Sequence, residues 1–202
     1  MTLALPSILV ILKGKDGERM EQRSLVVLGI SGSLRKESTN SRLLAFLAGI
    51  MPTGVEFRLY EGMASLPHFN PDLDCDDMEV DEAVYEWREQ LRSADAIILC
   101  TPEYARGVPG SLKNALDWVV SSAEFMNKPT AVISASPHED GGKTALASLI
   151  VTLKMMSALI PGEATLAVPI ATKKLARDGS VVDMNTVSSL NSLIRALVQA
   201  VN

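Results

Sequence analysis

From Ser24 onward the chain alternates short runs of β-branched and aliphatic residues with longer amphipathic stretches, and few folds accept that pattern. A strand, a helix and another strand in succession require a crossover connection, which builds a parallel sheet with helices on its faces. Strands are expected over 25–30, 55–60, 96–100, 130–134 and 163–168. Helices are expected over 41–51, 80–93, 109–121, 143–159 and 186–201. With 202 residues, 47% of them hydrophobic, the chain can bury one substantial core and reads as one domain. Residues 61–78 hold Gly62, Pro67 and Pro71 and the acids Asp72, Asp74, Asp76 and Asp77, and read as a long solvated loop before the second helix. There is no internal repeat and no low-complexity segment.

Charge and cysteine usage narrow the function. A net charge of −5, with no basic tract threaded by aromatics, argues against nucleic acid as the main ligand. Cys75 and Cys100 are the two cysteines, too few for a disulfide framework or a Cys-rich metal site, and they fit a reducing compartment. The apolar stretch 3–12 is broken by Pro6 and Ser7, is too short to span a bilayer and lacks signal-peptide features, so no membrane partner and a cytoplasmic location are expected. Residues 1–19 stand apart as an N-terminal extension, expected to be disordered or to precede the true start at Met20, with a strand over 7–13 as the alternative. The main domain is then 20–202. His68 and His138 have no ligand cluster around them, and neither a Gly-x-Ser-x-Gly turn nor a Cys–His pairing signal occurs, so metal and nucleophilic catalysis have no support.

The turn after the first strand reads Gly32-Ser-Leu-Arg-Lys-Glu-Ser-Thr-Asn40. A buried strand that runs through such a turn into a helix leaves unpaired N–H groups at the helix start, with the positive end of the dipole behind them. Ser33, Ser38, Asn40 and Ser41 add side-chain hydrogen bonds, and Arg35 brings a permanent charge suited to two phosphate oxygens. Helix capping by Ser38 or Asn40 would not by itself call for an arginine and further hydroxyls. The turn has neither Gly-x-Gly-x-x-Gly nor a lysine P-loop, which argues against a dinucleotide or ATP here.

These residues match the Gly-Ser-x-Arg-x-x-Ser-x-Asn signature at Gly32, Ser33, Arg35, Ser38 and Asn40, and the chain resembles the NAD(P)H-dependent FMN reductases, a flavodoxin-like group that includes chromate and quinone reductases. The stretch 101–118, beginning Thr-Pro-Glu-Tyr, is similar to the flavin loop of that family and the helix after it. The resemblance implies a three-layer sandwich with a five-stranded parallel sheet in order 2-1-3-4-5, and a crevice at the carboxyl ends of strands one and three. It also implies FMN as cofactor, held by Ser33, Arg35, Ser38, Asn40, Ser41, Pro102, Glu103, Tyr104, Ala105, Arg106 and Ser136. NADPH or NADH would be the reductant, a small molecule such as free flavin, a quinone, an azo compound or chromate the acceptor, and a homodimer or homotetramer the assembly. Many members of the family carry asparagine where this chain has Ala105, so any ring contact there must come from backbone. Arg106 either faces the flavin mouth, where it would attract an anionic acceptor or the phosphate of NAD(P)H, or simply faces solvent, and Gly141 and Gly142 turn the chain after the fourth strand. Leu112, Ala115, Leu116 and Val119 form a stripe expected to be core, and His138 is expected to be a surface residue. The alternative function is a flavin-binding electron carrier or regulatory module without its own NAD(P)H turnover.

Overall fold

The computed structural model describes residues 23–75, 80–176 and 178–201. The expectation for residues 1–19, and the acids Asp76 and Asp77, lie outside the described residues. Five strands form one parallel sheet: β1 (Leu25–Ser31), β2 (Val55–Tyr60), β3 (Ala96–Thr101), β4 (Thr130–Ala135) and β5 (Thr165–Val168). Their order is β2-β1-β3-β4-β5, as the resemblance implied. In register, Val27 lies beside both Phe57 and Ala96, and Cys100 beside Ile133.

The helices are α1 (Thr39–Gly49), α2 (Glu82–Ser93), α3 (Gly110–Asp117), α4 (Lys143–Met155), α5 (Ala171–Lys174) and α6 (Met184–Gln199). Successive strand residues face opposite ways, so each strand feeds two cores. Val27, Ile98, Cys100 and Ile133 pack with Leu43, Leu44 and Leu47 of α1 and with Leu190, Leu193 and Ile194 of α6. Leu28, Ile30, Ile97, Leu99 and Val132 pack on the other face against Trp87 of α2, Leu112 and Leu116 of α3, and Leu149 of α4. The α3 stripe is core as expected, with Leu112, Ala115, Leu116 and Val119 all buried. Each buried leucine contributes about 1.5–3 kcal/mol over an exposed one. Gly29 leaves room for the neighbouring strand's Phe57, since a Cβ there would lie 2.3 Å from Phe57 Cζ and the ring would have to shift.

Local chemistry sets the helix starts. Ser38 caps α1 by accepting from the N–H of Ser41 (3.3 Å), Asp81 caps α2 through Ala83 (2.9 Å), and Asp183 caps α6 through Thr186 (2.9 Å). The ends depart from the sequence reading where tertiary contacts intervene. Helix α3 stops at Asp117 rather than at 121, and the next carbonyl, that of Trp118, accepts from Arg88 Nε (3.2 Å) and Nη2 (2.7 Å) instead of continuing a helix. Helix α4 ends at Met155 rather than at 159, with Ser157 in the left-handed region (φ 61°).

The segment before α2 is also less free than a solvated loop. It contains two 3-10 turns, Gly62–Ala64 and Pro71–Leu73. The Pro67 carbonyl accepts from Asn114 Nδ2 (2.9 Å) and Trp118 Nε1 (2.8 Å), and Phe69 meets Trp118 edge-on. Asp74 is a largely buried partner of Arg88 (2.7 Å) and accepts from the Ser121 hydroxyl (2.6 Å). Asp72, the other described acid of that run, is exposed.

Candidate functional site

Parallel strands deliver all their carboxyl ends to one edge of the sheet, so the loops after β1, β3, β4 and β5 meet there. Between them lies a cleft of about 180 Å³. Of the residues singled out in the sequence, Ser33, Arg35, Ser38, Asn40, Pro102, Glu103, Tyr104 and Ser136 line it. Ala105 and Arg106 line an adjoining depression of about 630 Å³ with Glu103, His138, Glu139 and Asp140. Ser41 lies behind the first loop, where its hydroxyl donates to Ser31 Oγ (2.9 Å).

The β1 loop is built around a helix start. Gly32 N–H donates to the Cys100 carbonyl (2.8 Å), and a Cβ on Gly32 would come within 2.9 Å of Leu112 Cδ2. Ser33 is held by Ser31 Oγ through its N–H (3.3 Å). Ser38 uses its hydroxyl oxygen to cap Ser41, which leaves the N–H groups of Thr39 and Asn40 without an acceptor among the described residues. No acidic residue sits in the first turn of α1, and Arg35 makes no ion pair among the described residues. Orphan donors, a free guanidinium and hydroxyls at 2–8% exposure fit a phosphate monoester of the kind FMN carries.

Asn40 works inward. Its amide donates to the Ala135 carbonyl (3.4 Å) and its oxygen accepts from the Cys100 thiol (3.2 Å), tying α1 to β3 and β4. Burial pushes the Cys100 thiol well above its usual range, so it stays neutral.

In the β3 loop, Tyr104 and Gly107 exchange both backbone hydrogen bonds (2.9 and 3.0 Å) around Ala105 (φ 49°) and Arg106 (φ 62°). Two central residues at positive φ make this a type I′ turn, a conformation that asparagine and glycine accept more readily than alanine or arginine. Tyr104 is left half-exposed at the cleft. Arg106 leans on Asp140 (3.1 Å) and lies 3.6 Å from Glu103, so its charge is partly matched. The Asp140 carboxyl is held below the usual range by the Gly142 N–H, with Arg106 adding to the effect.

In the β4 loop, Ser136 is buried and accepts from the His138 N–H (3.2 Å). Gly141 and Gly142 both have positive φ (69° and 78°) and turn the chain into α4, as expected. His138 is exposed. The β5 loop was not anticipated. Its Ala171 and Thr172 line the cleft, fixed by bonds from Ala171 N–H to the Ser136 carbonyl (2.9 Å) and from Ile170 N–H to the His138 carbonyl (3.0 Å). No local signal marks them, because a backbone contact some 35 residues away brings them in.

Sheet order and a phosphate-suited helix start beneath the crevice define a flavodoxin-like protein with a flavin-type site. The family model for NADPH-dependent FMN reductase matches residues 25–173, and the chain belongs to that family. Among curated relatives, an NAD(P)H-dependent FMN reductase of Pseudomonas aeruginosa is 40% identical over 129 residues, 63% of this chain and 68% of the relative. A quinone reductase of Pseudomonas putida is 38% identical over 116 residues, a match that spans 56% of this chain and 61% of the relative. Among solved structures, FerB of Paracoccus denitrificans, a flavoenzyme NAD(P)H:(acceptor) oxidoreductase, superposes with a TM-score of 0.77 at 32% identity, covering 88% of this chain and 97% of that one. Among the described residues no group of three or more His, Cys, Asp or Glu is placed to hold a metal ion, and no helix is long and apolar enough to cross a membrane.

Proposed function

We propose that the protein is an FMN-dependent oxidoreductase that takes electrons from NADH or NADPH and passes them to a small acceptor such as a quinone, free flavin, an azo compound or chromate. The observation that carries this reading is the meeting of orphan helix-start donors and Arg35 with the β3 and β4 loops in one cleft. FMN, when bound, supplies the chemistry: it accepts a hydride from the nicotinamide and gives electrons to the acceptor.

The chain's own residues hold and orient. Arg35 and the N–H groups of Thr39 and Asn40 bind the phosphate, with Ser33 and Ser38 beside them. Pro102, Tyr104 and the backbone of Ala105 would hold the ring system from the β3 loop, and Ser136 from the β4 loop. Ser41 and Asn40 brace the loop from behind. Arg106 and Asp140 frame the mouth where nicotinamide and acceptor enter in turn. No side chain is needed as nucleophile, which agrees with a neutral, buried Cys100. A homodimer or homotetramer acting in the cytoplasm is the assembly and location that the family resemblance supports.

Anaerobic mixing of the purified yellow protein with NADH or NADPH tests the reading. Loss of oxidised-flavin absorbance, with turnover on a quinone, FMN or chromate, is the expected result. Bound flavin that neither nicotinamide bleaches would point to an electron carrier instead.

A further inference from the structure

Helix α4 begins without a cap of its own. Its N-cap position is Gly142, which has no side chain to offer, and its first turn holds no acidic residue. Glycine is enforced just before it, because a Cβ on Gly141 would lie 2.9 Å from the Pro169 nitrogen at a φ of 69°. The missing acceptor comes from another loop: Glu103 Oε2 accepts from the Ala145 N–H at 3.0 Å, across 42 residues of sequence. Its other oxygen, Oε1, lies 3.6 Å from Arg106, which also reaches Asp140 (3.1 Å), and Asp140 in turn accepts from the Gly142 N–H (3.1 Å). One guanidinium thus joins two carboxylates, each bound to the start of the same helix. The Glu103 side chain is 7% exposed.

We infer that Glu103 is a positioning residue whose carboxylate fixes the flavin loop to the start of α4, and that it supports the cofactor through this bond and not by touching it. The inference rests on the flavin reading above. Pro102 and Tyr104 flank Glu103; among the described residues the side-chain ties from their loop to the β4–α4 segment are Glu103 to Ala145 and the exposed Arg106 to Asp140, so their place in the cleft follows chiefly from where the buried Glu103 is anchored. The resemblance alone placed Glu103 among the cofactor contacts. The geometry points to a borrowed helix cap that joins two walls of the cleft.

The test uses apoprotein of the wild type, Glu103→Ala and Glu103→Gln, with amide exchange at Ala145 before any flavin is added and FMN titration afterwards. Glutamine keeps an acceptor oxygen for Ala145, whereas alanine does not. Exchange at Ala145 should be at least about tenfold faster in Glu103→Ala and within about threefold of wild type in Glu103→Gln, with FMN dissociation constants following the same pattern. Unaltered exchange in Glu103→Ala, or FMN affinity as weak in Glu103→Gln as in Glu103→Ala, would overturn the positioning role. If Glu103→Ala does not fold, the other two proteins decide, since an unprotected Ala145 amide in the wild type overturns it as well. A wild type that protects Ala145 yet binds no FMN overturns the flavin reading and, with it, the claim that the bond serves a cofactor.

Discussion

Arg35 carries a full charge beside an uncapped pair of N–H groups and has no carboxylate opposite it among the described residues. A charge-assisted bond to phosphate should therefore account for about 1.5–3 kcal/mol of FMN affinity. Arg35→Ala is expected to weaken FMN by that amount in a titration at moderate salt, and an unchanged affinity would remove the residue from the site. Ala105 carries the opposite kind of information. At φ 49° an alanine is strained, and Ala105→Gly should stabilise the protein by about 1 kcal/mol, read as a higher melting temperature of the apoprotein. A lower melting temperature would mean that the turn gains nothing from release. Cys100 and His138 are expected to be dispensable for electron transfer, one being buried and neutral and the other exposed at the rim. Alanine at either position should leave stopped-flow flavin reduction within about tenfold, roughly 1.4 kcal/mol in barrier, and a thousandfold loss would give that side chain a direct role.

Individual elements differ in how far they could be read from sequence. The sheet was legible because β1, β3 and β4 are buried on both faces and therefore appear as unbroken apolar runs. The β1 loop was legible for the same local reason, since a capped helix start needs only nearby hydroxyls. Where an element is ended or held by something distant, sequence carries no mark. Arg88 takes the carbonyl after α3, Asp74 is drawn out of solvent by that same arginine, and α5 is a single turn fixed to the β4 loop. The bond from the Ala145 N–H to Glu103 was hidden likewise, because that amide lies 42 residues away at the start of α4. The caps also make a prediction in acid. The Asp183 carboxyl is held below its usual range by the Thr186 hydroxyl and N–H, and the Asp74 carboxyl by Ser121 and Arg88, which outweigh its burial. A lowered folded-state value means that the unfolded chain binds the proton more readily, so this stability is complete above the ordinary carboxylate range and is lost as pH falls. Melting temperature should decline from about pH 4 downward, and Asp183→Asn should flatten part of that decline. A decline of the same depth in the variant would show that the α6 cap is not involved.

At the scale of the whole molecule, two cores separated by a sheet carry the stability, and their buried residues among those described run from Leu25 to Val198 in one and from Val26 to Met156 in the other. A chain beginning at Met20 keeps β1 and the Arg23–Asp95 ion pair, and should match the full-length protein in melting temperature and flavin content. A fall in either would show that the first residues dock on the fold. The cleft, by contrast, belongs to no part of the chain alone, because its walls run from Ser33 to Thr172 and come together only when the sheet is whole. A ligand that recognises such a site binds the native state and not the unfolded one, and adds about 2.7 kcal/mol of stability when present at a hundred times its dissociation constant. Flavin supply would then govern how long the protein survives as well as how fast it turns over. In a cell starved of the vitamin, the apoprotein would open more often and be degraded sooner, so abundance itself would follow nutrition.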